Sequence, residues 1–167
     1  LFNELSTVMK GTAKIQEVNF YYAYCNYSTG DNLMAAYLFR NYTINFPNSK
    51  HTEECAYMTA YCYYNEAPAY SLDATNTYRA IKELQSFIDR YPTSNRVEKT
   101  NMLIDELRAK LSLKAFENAI SIDPEFTSVF NNLGTIYTFQ KKYFKAINTF
   151  KEALRTNAKF ENGFFNL

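Results

Sequence analysis

The chain has 167 residues, of which 47 % are apolar and 21 % charged, with only four Gly and four Pro. Gly and Pro normally make up about 12 % of a chain, so their scarcity argues against a turn-rich β-sandwich or barrel, and the apolar content excludes a disordered chain. The net charge of +1, from 18 basic and 17 acidic residues, leaves no basic face for nucleic acid, and no apolar run approaches the roughly 18 residues that span a bilayer.

Residues 1–10 read as the second helix of a hairpin. A helix is expected over 16–29, stopped by Gly30, and Asp31 is placed to N-cap a second over 32–46. Phe46-Pro47-Asn48-Ser49 ends that helix, because Pro lacks the N–H that a helix interior needs. A third helix is expected over 50–65 and a fourth over 76–91, which stops at Tyr91-Pro92-Thr93-Ser94. Asn95 and Glu98 form a capping pair for a long helix from about 96 to 122, with Leu103, Leu107 and Leu111 along one face. The chain opens within an amphipathic helix and closes on what reads as the start of another, so a targeting segment is expected to lie outside it. No charged and apolar leader is visible at residue 1.

These helices repeat. Ala23-Tyr24-Cys25-Asn26-Tyr27 returns as Ala60-Tyr61-Cys62-Tyr63-Tyr64, each with an aromatic three residues ahead, Phe20 and Tyr57. Each repeat then ends in an aromatic-Pro-polar-Ser stop, and Ala35 and Ala80 each stand 12 residues before the Pro. Further on, Phe130, Leu133, Gly134, Tyr137, Ala146, Phe150 and Ala153 carry the spacing of a tetratricopeptide unit. Small residues at Gly134 and Ala146 are expected to bring the two helices of a hairpin close, and large ones at Tyr137 and Phe150 to fill the space between successive hairpins. The fold class is therefore all-α, a tetratricopeptide-repeat solenoid of antiparallel helix hairpins. The spacing is broken once: Ala60 to Ala80 is 20 residues where the other repeats have 12. The extra residues form an insert that includes Pro68, Tyr70, Leu72 and Asp73, which is either a partner contact or a tolerated loop.

Composition adds a second puzzle, since 17 % of the residues are aromatic, 15 Tyr and 14 Phe, with no Trp. In tetratricopeptide stacks the first helix of each hairpin lines the inner surface. That register places Glu17, Phe20, Tyr24 and Tyr27 in one row and Glu54, Tyr57, Tyr61 and Tyr64 in the next, with a polar row of Ser128, Asn131, Thr135 and Thr138 later. Tyr offers large contact area at low entropy cost and a polar tip, so the two rows suit a groove for extended, aromatic-rich peptides. The same rings could instead pack against the next repeat.

Catalytic and metal chemistry find no support. His51 is the single His and sits at a helix start, the Glu53/Glu54 and Asp105/Glu106 pairs read as solvated charge, and no phosphate-binding Gly loop is present. Cys25, Cys55 and Cys62 form no zinc spacing. Cys55 and Cys62 are roughly 10 Å apart along a helix, too far for a disulfide, so all three read as small buried hydrophobes, with a Cys25–Cys62 bridge as the other option. No cofactor or metal is expected. Asn26-Tyr27-Ser28 and Asn41-Tyr42-Thr43 match the glycosylation pattern, but both fall inside expected helices.

Several stretches resemble the BamD family of tetratricopeptide lipoproteins. They are Ala36-Tyr37-Leu38-Phe39-Arg40-Asn41-Tyr42 with Phe46-Pro47-Asn48-Ser49, the insert Ala67-Pro68-Ala69-Tyr70-Ser71-Leu72-Asp73, residues 80–92, and 107–111 with 114–117. The insert is similar to that of the Bacteroidetes form. The resemblance covers residues 1–119; residues 120–167 look like an ordinary tetratricopeptide unit and the start of another, either a divergent continuation or a segment joined across a gap. It implies a non-enzymatic, lipid-anchored protein on the periplasmic face of the outer membrane. Its partners would be unfolded outer-membrane β-barrel proteins, a BamA-like barrel subunit and other assembly lipoproteins, with no nucleic acid and with membrane contact only through the anchor. The repeats alone also fit a generic tetratricopeptide adaptor that binds the peptide tail of a partner.

Overall fold

A computed structural model describes residues 14–67 and 74–164. The described residues form seven α-helices and no strand: α1 (Ile15–Ser28), α2 (Asn32–Asn45), α3 (Thr52–Glu66), α4 (Thr75–Arg90), α5 (Val97–Ile122), α6 (Thr127–Phe139) and α7 (Tyr143–Phe164). Residues 1–10 and the insert residues Pro68, Tyr70, Leu72 and Asp73 lie outside the described residues. The chain divides into two compact units, Leu1–Leu107 and Arg108–Leu167.

Local chemistry explains where the helices of the first unit begin and end. Gly30 has φ +85°, a left-handed value that is open to Gly at no steric cost. Its N–H donates to the Tyr27 carbonyl at 3.1 Å and that of Asp31 to Asn26 at 3.0 Å, a Schellman closure of α1. Asp31 then caps α2, accepting from the Met34 N–H at 3.1 Å. The two aromatic-Pro stops are the same turn twice. Phe46 has φ −132°, ψ 61° and Tyr91 has φ −130°, ψ 62°, both outside the helical region, as a following Pro requires. Ser49 and Ser94 close the turns, each donating its N–H to the carbonyl of the pre-Pro aromatic at 3.1 Å. Each Ser Oγ accepts from the N–H two residues on, His51 at 3.4 Å and Arg96 at 3.1 Å.

The core of the first unit lies where α1 to α4 and the start of α5 meet. Ala23, Ala35, Ala36, Ala60 and Ala80 are all fully or almost fully buried, and their small size lets the helix backbones approach. Phe39, Tyr42, Leu84, Phe87, Ile104 and Leu107 fill the space between them. Phe46 and Tyr91 fold back on Tyr42 and Phe87, with ring centroids 5.1 and 5.5 Å apart, so each stop also plugs the end of its hairpin.

In the second unit α6 and α7 form a hairpin around Val129, Leu133, Ala146 and Ala153. A Cβ placed on Gly134 would stand 2.6 Å from the Phe150 ring, so a larger residue there would displace the ring. The Phe150 ring rests against Gly134 of its own hairpin and is otherwise exposed. The turn between α6 and α7 repeats the Schellman closure of α1, with Lys141 N–H on Thr138 and Lys142 N–H on Tyr137, both at 2.9 Å. Here the left-handed position, φ 58°, is held by Lys141.

Candidate functional site

Helices α1 and α3 bring the two aromatic rows together, and they divide into two layers. Phe20 and Tyr57 are buried, 7 % and 6 % exposed, while Tyr24, Tyr27, Tyr61 and Tyr64 are partly buried, with one side against the core. Glu17 is exposed and Glu54 partly so. The rings form an unbroken series. Phe20 meets Tyr24 edge-on at 4.9 Å, Tyr24 meets Tyr27 at 6.5 Å, and Tyr27 reaches across to Tyr61 at 6.4 Å. On α3 the rings stack face to face, Tyr57 on Tyr61 at 5.7 Å and Tyr61 on Tyr64 at 5.8 Å, with interplanar angles of 16° and 17°. Aromatic pairs at these separations stabilise one another beyond simple burial, so the tyrosine ladder is preformed.

Hydrogen bonds orient its members. The Tyr24 hydroxyl donates to Glu54 Oε1 at 2.6 Å and Tyr64 to Glu106 Oε2 at 2.8 Å. Burial, then the bond to the carboxylate, raises both phenols, Tyr24 strongly and Tyr64 to about 12. Glu54 also lies 3.8 Å from His51, whose ring stacks on Phe20 at 4.1 Å. Glu53 accepts from Ser94 Oγ at 2.6 Å and stands 3.9 Å from Arg96. The expectation that these carboxylates are merely solvated is therefore corrected for Glu53 and Glu54: each accepts a hydrogen bond from a hydroxyl of another helix or turn, as the exposed Glu106 also does. Sequence reasoning also missed Arg96 and Lys99 on the rim of the ladder. Arg96 lies 5.4 Å from the Tyr57 ring centre, and Lys99 Nζ lies 5.6 Å from that of Tyr61 and 6.0 Å from that of Tyr57. Lys99 carried a signal in the sequence, standing four residues before Leu103 at the start of the expected long helix.

The polar row of α6 lies in the second unit, where Thr135 and Thr138 line a recess of about 400 Å³ with Phe139 and Phe150. The three cysteines are free thiols. Cys55 and Cys62 are buried as expected, but Cys25 is exposed, because it points away from the contact between α1 and the core. Among the described residues no group of three His, Cys, Asp or Glu side chains could hold a metal ion, and no helix is long and apolar enough to cross a membrane.

No curated protein matches the chain. Among solved structures it is similar to the crystal structure of MamA, at 18 % identity and a TM-score of 0.40, over 96 % of this chain and 89 % of that one. The YfiO family, described as outer membrane lipoprotein, matches over residues 1–121, a stretch that includes residues 1–119 on which the resemblance to BamD rests. The chain belongs to that family of outer membrane lipoproteins.

Proposed function

We propose that this chain is a non-enzymatic scaffold of the outer-membrane β-barrel assembly machinery, held by a lipid anchor on the periplasmic face. Its N-terminal repeats hold extended, aromatic-rich segments of unfolded barrel proteins, and other surfaces dock a BamA-like barrel subunit and further assembly lipoproteins. The insert with Pro68, Tyr70, Leu72 and Asp73 is one such surface. The observation that carries the reading is the ladder: Tyr24, Tyr27, Tyr61 and Tyr64 lie in one continuous series, preformed by stacking and by Glu54 and Glu106. An extended peptide adds little ordering cost to such a surface, since the receiving side chains are already held. Membership of an outer membrane lipoprotein family supports the setting.

Photo-crosslinking tests it in cells. A benzoylphenylalanine placed at Tyr27 or Tyr61 is expected to capture newly made barrel proteins. The same probe at exposed Tyr37 on α2 serves as the reference. Equal capture from all three positions, or none from Tyr27 and Tyr61, would sink the proposal.

A further inference from the structure

Away from the ladder, α2 turns a different surface to solvent. Its 14 residues carry one charged side chain, Arg40, against about a quarter of residues in a typical domain. Leu33, Tyr37 and Ile44 are 57 %, 59 % and 67 % exposed. With Arg40 they stand at steps of four, three and four residues, which align side chains in one row along a helix, here over roughly 16 Å. Scattered exposed apolar residues are ordinary, but contiguous apolar surface marks an interaction site.

Arg79, Glu83, Ser86 and Arg90 form the matching row on α4. The two rows meet where Arg40 stands 2.6 Å from Glu83, a close charge contact that forms no directed hydrogen bond. On one side of this pair the groove is filled. Arg79 lies 4.4 Å from the centre of the Tyr63 ring and donates to its hydroxyl at 2.9 Å. On the other side the groove is open, a recess of about 310 Å³ with Ala56 and Thr59 of α3 between Ile44 on α2 and Ser86 and Arg90 on α4. Glu83 is the one acid among the lining residues, and it is offset by Arg40. Arg90 is exposed, and its neighbour Asp89 is engaged by Gln85 at 3.0 Å. Among the described residues no carboxylate lies within ion-pair distance of Arg90, so the open recess carries one unbalanced positive charge beside apolar surface.

We propose that this face docks an acidic amphipathic helix of a partner protein, laid along α2. Its apolar stripe covers Leu33, Tyr37 and Ile44, one apolar side chain enters the recess, and a carboxylate one turn away meets Arg90. The proposal rests on the reading above only in that surfaces other than the ladder dock partners. Helices whose rows run at three- and four-residue steps interdigitate side by side, and charge complementarity selects the acidic one. A second copy of this chain does not supply it. Its other row of exposed apolar residues, Phe144, Ile147 and Leu154 of α7, stands among Lys145, Lys151 and Arg155.

Photo-crosslinking from Ile44, on the rim of the recess, tests this in cells. A benzoylphenylalanine there is expected to capture one discrete partner. Sequencing of the crosslinked peptide should place the contact in a helical stretch with Asp or Glu three or four residues from apolar ones. Tyr37 lies on the same row, so it should report that partner and not newly made barrel proteins. The mapped stretch is then made as a fluorescein-labelled peptide and titrated against the full chain by anisotropy. Arg90→Glu should weaken binding about tenfold, because it sets like charges together. Replacing the nearest acid of the peptide by Lys should bring the affinity of that variant back to within about threefold of the native pair. Such a rescue also shows that the variant is folded.

No capture from Ile44, capture of a second copy of this chain, or a mapped stretch without an acid overturns the proposal. So does an Arg90→Glu affinity within about twofold of native, or a loss that the swapped peptide does not restore. The ladder reading is decided separately, by whether Tyr27 and Tyr61 capture barrel proteins.

Discussion

Among the described residues Lys141 is the one non-Gly residue with a positive φ. It takes the left-handed conformation, φ 58°, seven residues after Gly134, as Gly30 does seven residues after Ala23. A non-Gly residue there costs roughly 1–2 kcal/mol, partly offset because Gly loosens the unfolded chain. Lys141→Gly is thus expected to stabilise the α6–α7 hairpin by about 0.5–1 kcal/mol, read as a higher urea midpoint at unchanged slope. A lower midpoint would mean that the Lys141 side chain contributes more than its backbone costs. The buried thiols set a second expectation. Burial, with Glu54 near one and Glu66 near the other, pushes Cys55 and Cys62 up to about 12, above the roughly 8.5 of an unfolded thiol. Their neutral forms favour the fold below that unfolded value, and the contribution is lost as pH rises from about 9 toward 12. Stability against urea should therefore hold level to about pH 9 and then decline. In Cys55→Ala with Cys62→Ala the decline should begin nearer pH 10, where Tyr24 and Tyr64 ionise in the unfolded chain. An unchanged onset in the double variant would contradict this account.

The helix ends show what local chemistry can and cannot specify. Gly30, Asp31 and the two pre-Pro aromatics set helix ends close to where their chemistry places them, since φ freedom, capping and the missing Pro N–H act within a few residues. Ser94 was legible as part of a stop, yet its Oγ bond to Glu53, 41 positions away in the chain, was not, because only packing brings α3 to that turn. Ser94→Ala removes that bond and the one from the Arg96 N–H. It should cost about 1 kcal/mol, measured as the urea-unfolding free energy. Glu53→Gln in the Ser94→Ala background should then cost clearly less than Glu53→Gln alone, and full additivity would show that the two side chains do not couple. Phe150 carries the same lesson: its spacing marked it as a packing residue, but its contact with Gly134, where a Cβ would stand 2.6 Å from the ring, shows only once the hairpin is folded.

Across the whole chain, helical periodicity and repeated spacing made the all-α hairpin architecture readable, because each hairpin buries a stripe set by residues three and four apart. The aromatic surplus was readable as two rows, though not which rings would sink. Phe20 and Tyr57 became the buried layer because His51 and Phe87 close over them, contacts that cross between helices. The rim takes Lys99 and Glu106 from α5 and Arg96 from the turn just before it; Lys99 stands one turn ahead of Leu103 on the leucine stripe itself, where the leucines alone drew attention. In the proposed function those pieces act as one surface, with the buried rings and carboxylates holding the outer tyrosines in place for an extended chain. The most direct measurement is the affinity of the full chain and its Tyr27→Ala with Tyr61→Ala variant for a labelled, aromatic-rich peptide taken from a barrel strand. Loss of two stacking faces, worth about 0.5–1.5 kcal/mol each, predicts binding weaker by about tenfold or more with the helical spectrum retained; an unchanged affinity in a folded variant would contradict the groove.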